Sequence, residues 1–194
     1  MLTPSFDLFI RALQFAAHKH RDQKRQDAEA TPYINHPIQV AQTLWHVGQI
    51  QDEMVLSAAL LHDTLEDTET QADELKNAFG ADILKLVQEV SDDKSLPKVE
   101  RKRLQIIHAT TISSPAKLIK LADKIANIRD IGQTPPTGWS IDRRLEYLAW
   151  SEEVVQGLRG VNATLEADFD EVVAMVREQL ITQQKAQSEN ELTL

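Results

Sequence analysis

The chain has 194 residues, with 21 Lys and Arg against 30 Asp and Glu for a formal net charge of −9, and no cysteine. Disulfides and thiolate metal sites are therefore excluded, and so acidic a chain is a poor general binder of nucleic acid or anionic membrane. With 42% hydrophobic and 26% charged residues the composition is that of a globular domain, and the length fits one domain.

The start, Met1 to Asp7, lacks the basic and apolar stretches of a signal peptide, and no apolar run approaches the roughly 18 residues of a membrane span, so a cytoplasmic protein is expected. Thr3-Pro4 reads as the cap and start of a first helix with apolar positions at Phe6, Phe9, Ile10, Leu13, Ala16 and Ala17. Pro37 opens a second helix that Gly48 closes. Asp52 caps a third, whose run Val55 to Leu61 is almost wholly apolar and predicts a buried central helix.

Thr70 and Asp73 have the spacing of a capping box, and Gly80 separates that short helix from the amphipathic stretch Ile83 to Val90. Pro97 opens a basic helix. Ser114-Pro115 starts a helix stopped by Gly132, and Ser140 starts another that ends near Gly157 or Gly160. Asn162 caps a last helix, and residues 183–194 read as a polar, fraying tail beyond a domain of residues 1–182. Six glycines and no Asn-Gly or Asp-Gly signal argue against a sheet. The expectation is one compact all-α domain of about nine or ten helices.

Three segments carry chemistry. Placed on one continuous helix, His62, Asp63, Glu66 and Asp67 fall within an arc of about 140°, at the end of the buried run. Taken alone, these residues read equally well as an exposed acidic turn beside a core histidine. Residues 52–75 hold eight acids and no Lys or Arg, so neutralisation must come from elsewhere, and a divalent cation is a compact source. In Leu118 to Ile128, Asp123 interrupts an apolar run with Asn127 one turn on; a Lys120–Asp123 pair on a polar face is the plainer alternative. Asn35-His36-Pro37 sets a histidine at a helix entrance, where a rigid turn would serve as well.

The ordered set His36, His62-Asp63 and Asp123 on an all-α chain resembles the HD-domain superfamily of metal-dependent phosphohydrolases. His20-Arg21, Gln23-Lys24-Arg25, Thr31 to Pro37, Leu61 to Thr68 and Lys120 to Lys124 are similar to the hydrolase domain of the RelA/SpoT alarmone enzymes. Asp92 to Lys98 and Gly138 through Tyr147 point to the short branch that includes the metazoan SpoT homologues. The resemblance spans about residues 5–180, and the length leads us to expect a hydrolase without the synthetase of longer members.

The resemblance implies Mn²⁺ held by His36, His62, Asp63 and Asp123, with Glu66 and Asp67 as catalytic acids. Two imidazoles and two carboxylates suit a borderline first-row ion better than Mg²⁺, while leaving Zn²⁺ and Fe²⁺ open. The implied reaction is hydrolysis of guanosine tetra- or pentaphosphate at the 3′-diphosphate, releasing pyrophosphate. The implied substrate contacts are Arg25 stacked on the base, with Lys98, Asn127, Arg143 and Tyr147 on nucleoside and phosphates. Two basic clusters, Lys19, Arg21, Lys24 and Arg25, and Lys94, Lys98, Arg101, Lys102 and Arg103, are candidates to clamp phosphate. Gln26 departs from the basic residue many relatives carry there. The alternatives are an NADPH 2′-phosphatase using the same site and a nucleotide-sensing protein with an inactive one.

Overall fold

The computed structural model describes residues 5–191, and these form ten α-helices. Beyond an isolated bridge between Lys24 and Pro32, the described residues contain no strand. The first three helices are α1 (Ser5–Lys19), α2 (Asn35–His46) and α3 (Glu53–Leu61). Asp52 caps α3 as its sequence predicts, its Oδ1 accepting from the backbone N–H of Met54 at 2.8 Å and Val55 at 3.3 Å. All seven residues from Val55 to Leu61 are buried, because α1, α2, α6 (Ala81–Val90) and α8 (Ser114–Gln133) pack around the helix.

The helix does not run on through the acidic motif. It ends at Leu61, and a single turn, α4 (Thr64–Asp67), restarts after His62 and Asp63. Asp63 has ψ near −4°, so the two residues stay in helical space while the axis turns. The expected continuous helix is thereby corrected.

The capping box is also corrected. α5 (Ala72–Phe79) has Gln71 at its N-cap with no side-chain cap, and the Thr70 hydroxyl instead lies 2.7 Å from that of Thr68. Gly80, at φ +89°, makes the turn into α6, a conformation that costs glycine least. After α7 (Lys98–His108), Ser113 rather than Ser114 caps α8, accepting from Ala116. α8 ends at Gln133, one residue past Gly132 and so at the expected stop; a Cβ on Gly132 would lie 2.8 Å from Val176 Cγ2, so this glycine also admits the close approach of α10 (Ala163–Glu191).

Ser140 caps α9 (Ile141–Leu158), which ends one residue past Gly157 as expected, and Asn162 Oδ1 accepts from Leu165 at the start of α10. Where fraying was expected, α10 stays helical to Glu191, with residues 181–189 exposed. The Thr3-Pro4 start lies outside the described residues. No helix among them is long and apolar enough to cross a membrane.

Candidate active site

Three stretches of chain deliver the four predicted ligands to one place. His36 comes from the first turn of α2, His62 and Asp63 from the α3–α4 turn, and Asp123 from the middle of α8. His36 Nε2 lies 3.1 Å from Asp123 Oδ1 and 3.7 Å from Asp63 Oδ2. His62 Nε2 lies 3.1 Å from Asp63 Oδ2 and 3.8 Å from Asp123 Oδ1. One donor atom from each of His36, His62 and Asp123 falls within 4.8 Å of the others, a possible metal-binding triad with Asp63 beside it.

Each group is held from behind. His62 Nδ1–H donates to the Ala59 carbonyl at 2.8 Å, which turns Nε2 toward the carboxylates. Asp123 Oδ1 accepts from Asn127 Nδ2 at 2.6 Å, and its Oδ2 lies 3.3 Å from Lys124 Nζ. The plainer Lys120–Asp123 pair does not form, because Lys120 Nζ donates to the Val90 carbonyl at 2.9 Å.

The electrostatics match this crowding. Burial pushes the Asp63 carboxyl up, but the His62 and His36 rings outweigh it and hold the group well below the usual range. At Asp123 burial is likewise outweighed, by Lys124 and then His36. Burial depresses His62, yet Asp63 and Asp123 raise it to about 9. His62 Nε2 is buried without a hydrogen-bond partner, an unsatisfied donor atom aimed at two carboxylates beside a cavity of about 160 Å³. That orphaned nitrogen, within a set of two imidazoles and two carboxylates, fits a divalent cation.

Glu66 and Asp67 stand on the rim as partly buried acids rather than a solvated turn. Glu66 Oε2 accepts from the Asp92 N–H at 2.8 Å, and Oε1 faces Lys94 at 3.3 Å and Arg101 at 3.7 Å. Burial raises the Glu66 carboxyl above its ordinary value. Asp67 Oδ1 lies 2.5 Å from Lys94 Nζ, while Oδ2 accepts from the Tyr33 hydroxyl at 3.0 Å. Part of the acid-only stretch is thus neutralised by distant lysines; Lys19 similarly holds Glu74 at 2.9 Å and Glu69 at 3.5 Å.

A second cavity, about 450 Å³, adjoins the first, and Glu66, Gln105 and Lys124 line both. Lys98, Arg143 and Tyr147 line its far wall. The Arg143 guanidinium lies 4.1 Å over the Trp139 ring, and Tyr147 sits edge-on between Trp139 and Trp150. Lys102 Nζ lies 4.5 Å over Trp150. Among the described residues, Lys98, Lys102 and Arg143 form no ion pair, so this wall offers cations beside the Glu66, Asp92 and Glu146 carboxylates that also line the cavity.

Arg25 and Asn127 are placed differently from the other expected contacts. Arg25 Nη2 lies 2.6 Å from Asp130 Oδ2 and 3.3 Å from Asn127 Oδ1, and its guanidinium is 5.6 Å from the Tyr33 ring. Its aromatic partner within the protein is therefore Tyr33, and Asn127 bridges Arg25 to Asp123. The first basic cluster divides, with Lys19 on Glu74 of α5 and on Glu69 before it, and Arg21 on Asp22. Sequence reasoning missed the Tyr33 hydroxyl and the double pairing of Lys94. Tyr33 was signalled only by its place two residues before Asn35-His36 in the turn that carries the first ligand.

A family model described as the HD domain matches residues 12–147. The guanosine-3′,5′-bis(diphosphate) 3′-pyrophosphohydrolase MESH1 of Xenopus tropicalis is 55% identical over 163 residues, covering 84% of this chain and 91% of that protein. Its counterpart in Mus musculus is 57% identical over 157 residues, covering 81% and 88%. A solved structure of a metazoan orthologue of SpoT that hydrolyses ppGpp aligns with a TM-score of 0.84 at 51% identity, over 87% of this chain and 94% of that one.

Proposed function

The chain belongs to the HD-domain family, and from that membership we propose that it is a Mn²⁺-dependent guanosine-3′,5′-bis(diphosphate) 3′-pyrophosphohydrolase of the cytoplasm. The observation that carries the reading is the convergence of His36, His62, Asp63 and Asp123 on one point, with two acids and a cation-lined cavity beside it. The extent of identity to the MESH1 enzymes supports the substrate.

In this reading the four converging residues hold the ion. When bound, it supplies positive charge against the phosphoryl oxygens and makes phosphorus more open to attack. Water adds to the phosphorus attached to the 3′ oxygen, that P–O bond breaks, and pyrophosphate leaves with GDP or GTP as the other product. Glu66, whose proton affinity burial raises, takes a proton from the water and is placed to return one to the 3′ oxygen. Asp67 orients the water. Lys94 and Arg101 offset the acids' charge and come into reach of the departing diphosphate.

Lys98, Arg143 and Tyr147 form the wall that receives the remaining phosphates and nucleoside. Arg25 contributes from the opposite side, through Asn127 and Tyr33. The exposed Lys98 would also suit the 2′-phosphate of NADPH. The test is the product profile of the Mn²⁺-loaded protein with each nucleotide. GDP and pyrophosphate from ppGpp, lost on chelation, is the expected result; orthophosphate from NADPH with ppGpp left intact would replace it with the phosphatase reading. Binding of ppGpp without turnover would leave only a sensor.

A further inference from the structure

The Tyr33 hydroxyl lies between a proposed ligand and a proposed catalytic acid. It is 2.7 Å from Asp63 Oδ2 and 3.0 Å from Asp67 Oδ2, and these carboxylates belong to the residues at the two ends of α4, Asp63 at its N-cap and Asp67 in last place. We infer that Tyr33 is a positioning residue that ties the orientation of Asp67 to the engagement of Asp63. This inference rests on the hydrolase reading for its catalytic half.

A phenol has one hydrogen to donate, so it serves one carboxylate at a time. With no other cation at the centre, the nearer Asp63 oxygen takes it. Once that oxygen faces a bound ion, its need for the hydrogen falls and Asp67 becomes the better acceptor. Asp67 is then held by a half-buried donor on Oδ2, while its other donor, Lys94, has a side chain 48% exposed and can move to an incoming phosphate. The acid thus keeps its aim when its lysine departs.

The ring is fixed well enough for this task. The His20 ring stacks on it at 4.9 Å, the His36 ring meets it edge-on at 5.9 Å, and Arg25 lies over it at 5.6 Å. His20 is itself buried and held by Gln23 at 2.6 Å. Tyr33→Phe therefore removes the hydroxyl while keeping the packing, and its melting temperature in chelator should fall by only about 2–4 °C, the cost of one hydrogen bond to Asp63.

The test titrates Mn²⁺ into stripped protein by calorimetry, without nucleotide, and then measures kcat and KM for ppGpp at saturating Mn²⁺. Tyr33→Phe should leave Mn²⁺ binding unchanged or tighten it by up to about threefold, since the hydroxyl serves Asp63 only without the ion, and should lower kcat about 10-fold, with KM within about twofold. On an Asp67→Asn background the same change should cost less than about twofold in kcat, since the hydroxyl acts through Asp67. Mn²⁺ binding weakened about 10-fold or more, or losses in kcat that multiply in the double variant, would overturn the inference. If the unaltered protein fails to turn over ppGpp, it is the hydrolase reading that falls, and the Mn²⁺ titration still judges the Asp63 arm.

Discussion

Asp123 meets four groups at once: the two ring nitrogens of His36 and His62, the Asn127 amide and the Lys124 ammonium. No other residue ties α8 to the ligands of α2 and the α3–α4 turn in this way, so Asp123→Ala should abolish both metal retention and turnover. Metal content after desalting, measured beside activity, checks this; near-normal metal with full activity would remove Asp123 from the ligand set. Glu66 invites the opposite split. A glutamine there can still accept from the Asp92 N–H that now holds Oε2, but it cannot take a proton. Glu66→Gln should keep the metal and lose about 10²- to 10⁴-fold in kcat, whereas loss of the metal would make Glu66 a ligand.

At the scale of elements, capping chemistry and periodicity made most helices legible, since Asp52, Ser140 and Asn162 all cap where their residue types predict. What stayed illegible depends on neighbours far away in the chain. Gly132 reads only as a stop signal, and its second role shows when Val176 is seen against it; Lys19 reads as a phosphate ligand until Glu74, 55 residues on, is seen to hold it. The turn at His62-Asp63 escaped because both residues keep helical dihedrals. The four converging residues were legible as an ordered set, whereas Tyr33 was not, because only the fold brings its hydroxyl to carboxylates 30 and 34 positions away. The cap on α3 gives a direct check on how these elements bear the site. Asp52→Ala removes an acceptor at the end of the helix remote from His62 and should cost about 1 kcal/mol. For a chain of this size that is a fall of roughly 2–4 °C in melting temperature. With kcat unchanged, this would show that α3 positions His62 through its buried face and not through its cap; a large loss of kcat would contradict it.

Across the whole molecule, the net charge of −9 conceals a division of labour. Acids gather around the metal centre, and unpaired cations line the adjoining cavity, so the centre's stability depends on what neutralises it. Without metal, His62 does so, with its folded value raised to about 9 against about 6.5 in an unfolded chain. A raised histidine adds stability in full below about pH 6.5 and loses it as pH climbs through 9, a contribution on the order of 3 kcal/mol at most. Asp63 and Asp123, both depressed, add stability above the usual carboxylate range and lose it only in acid. The metal-free protein should therefore melt progressively lower between pH 6.5 and 9.5. Mn²⁺ needs the neutral imidazole, so below pH 9 it must displace the His62 proton, and its stabilising effect should grow over the same interval. Thermal melts in chelator and in saturating Mn²⁺ across this range should diverge as pH rises. Parallel curves would mean that His62 neither holds that proton nor gives it up to the ion.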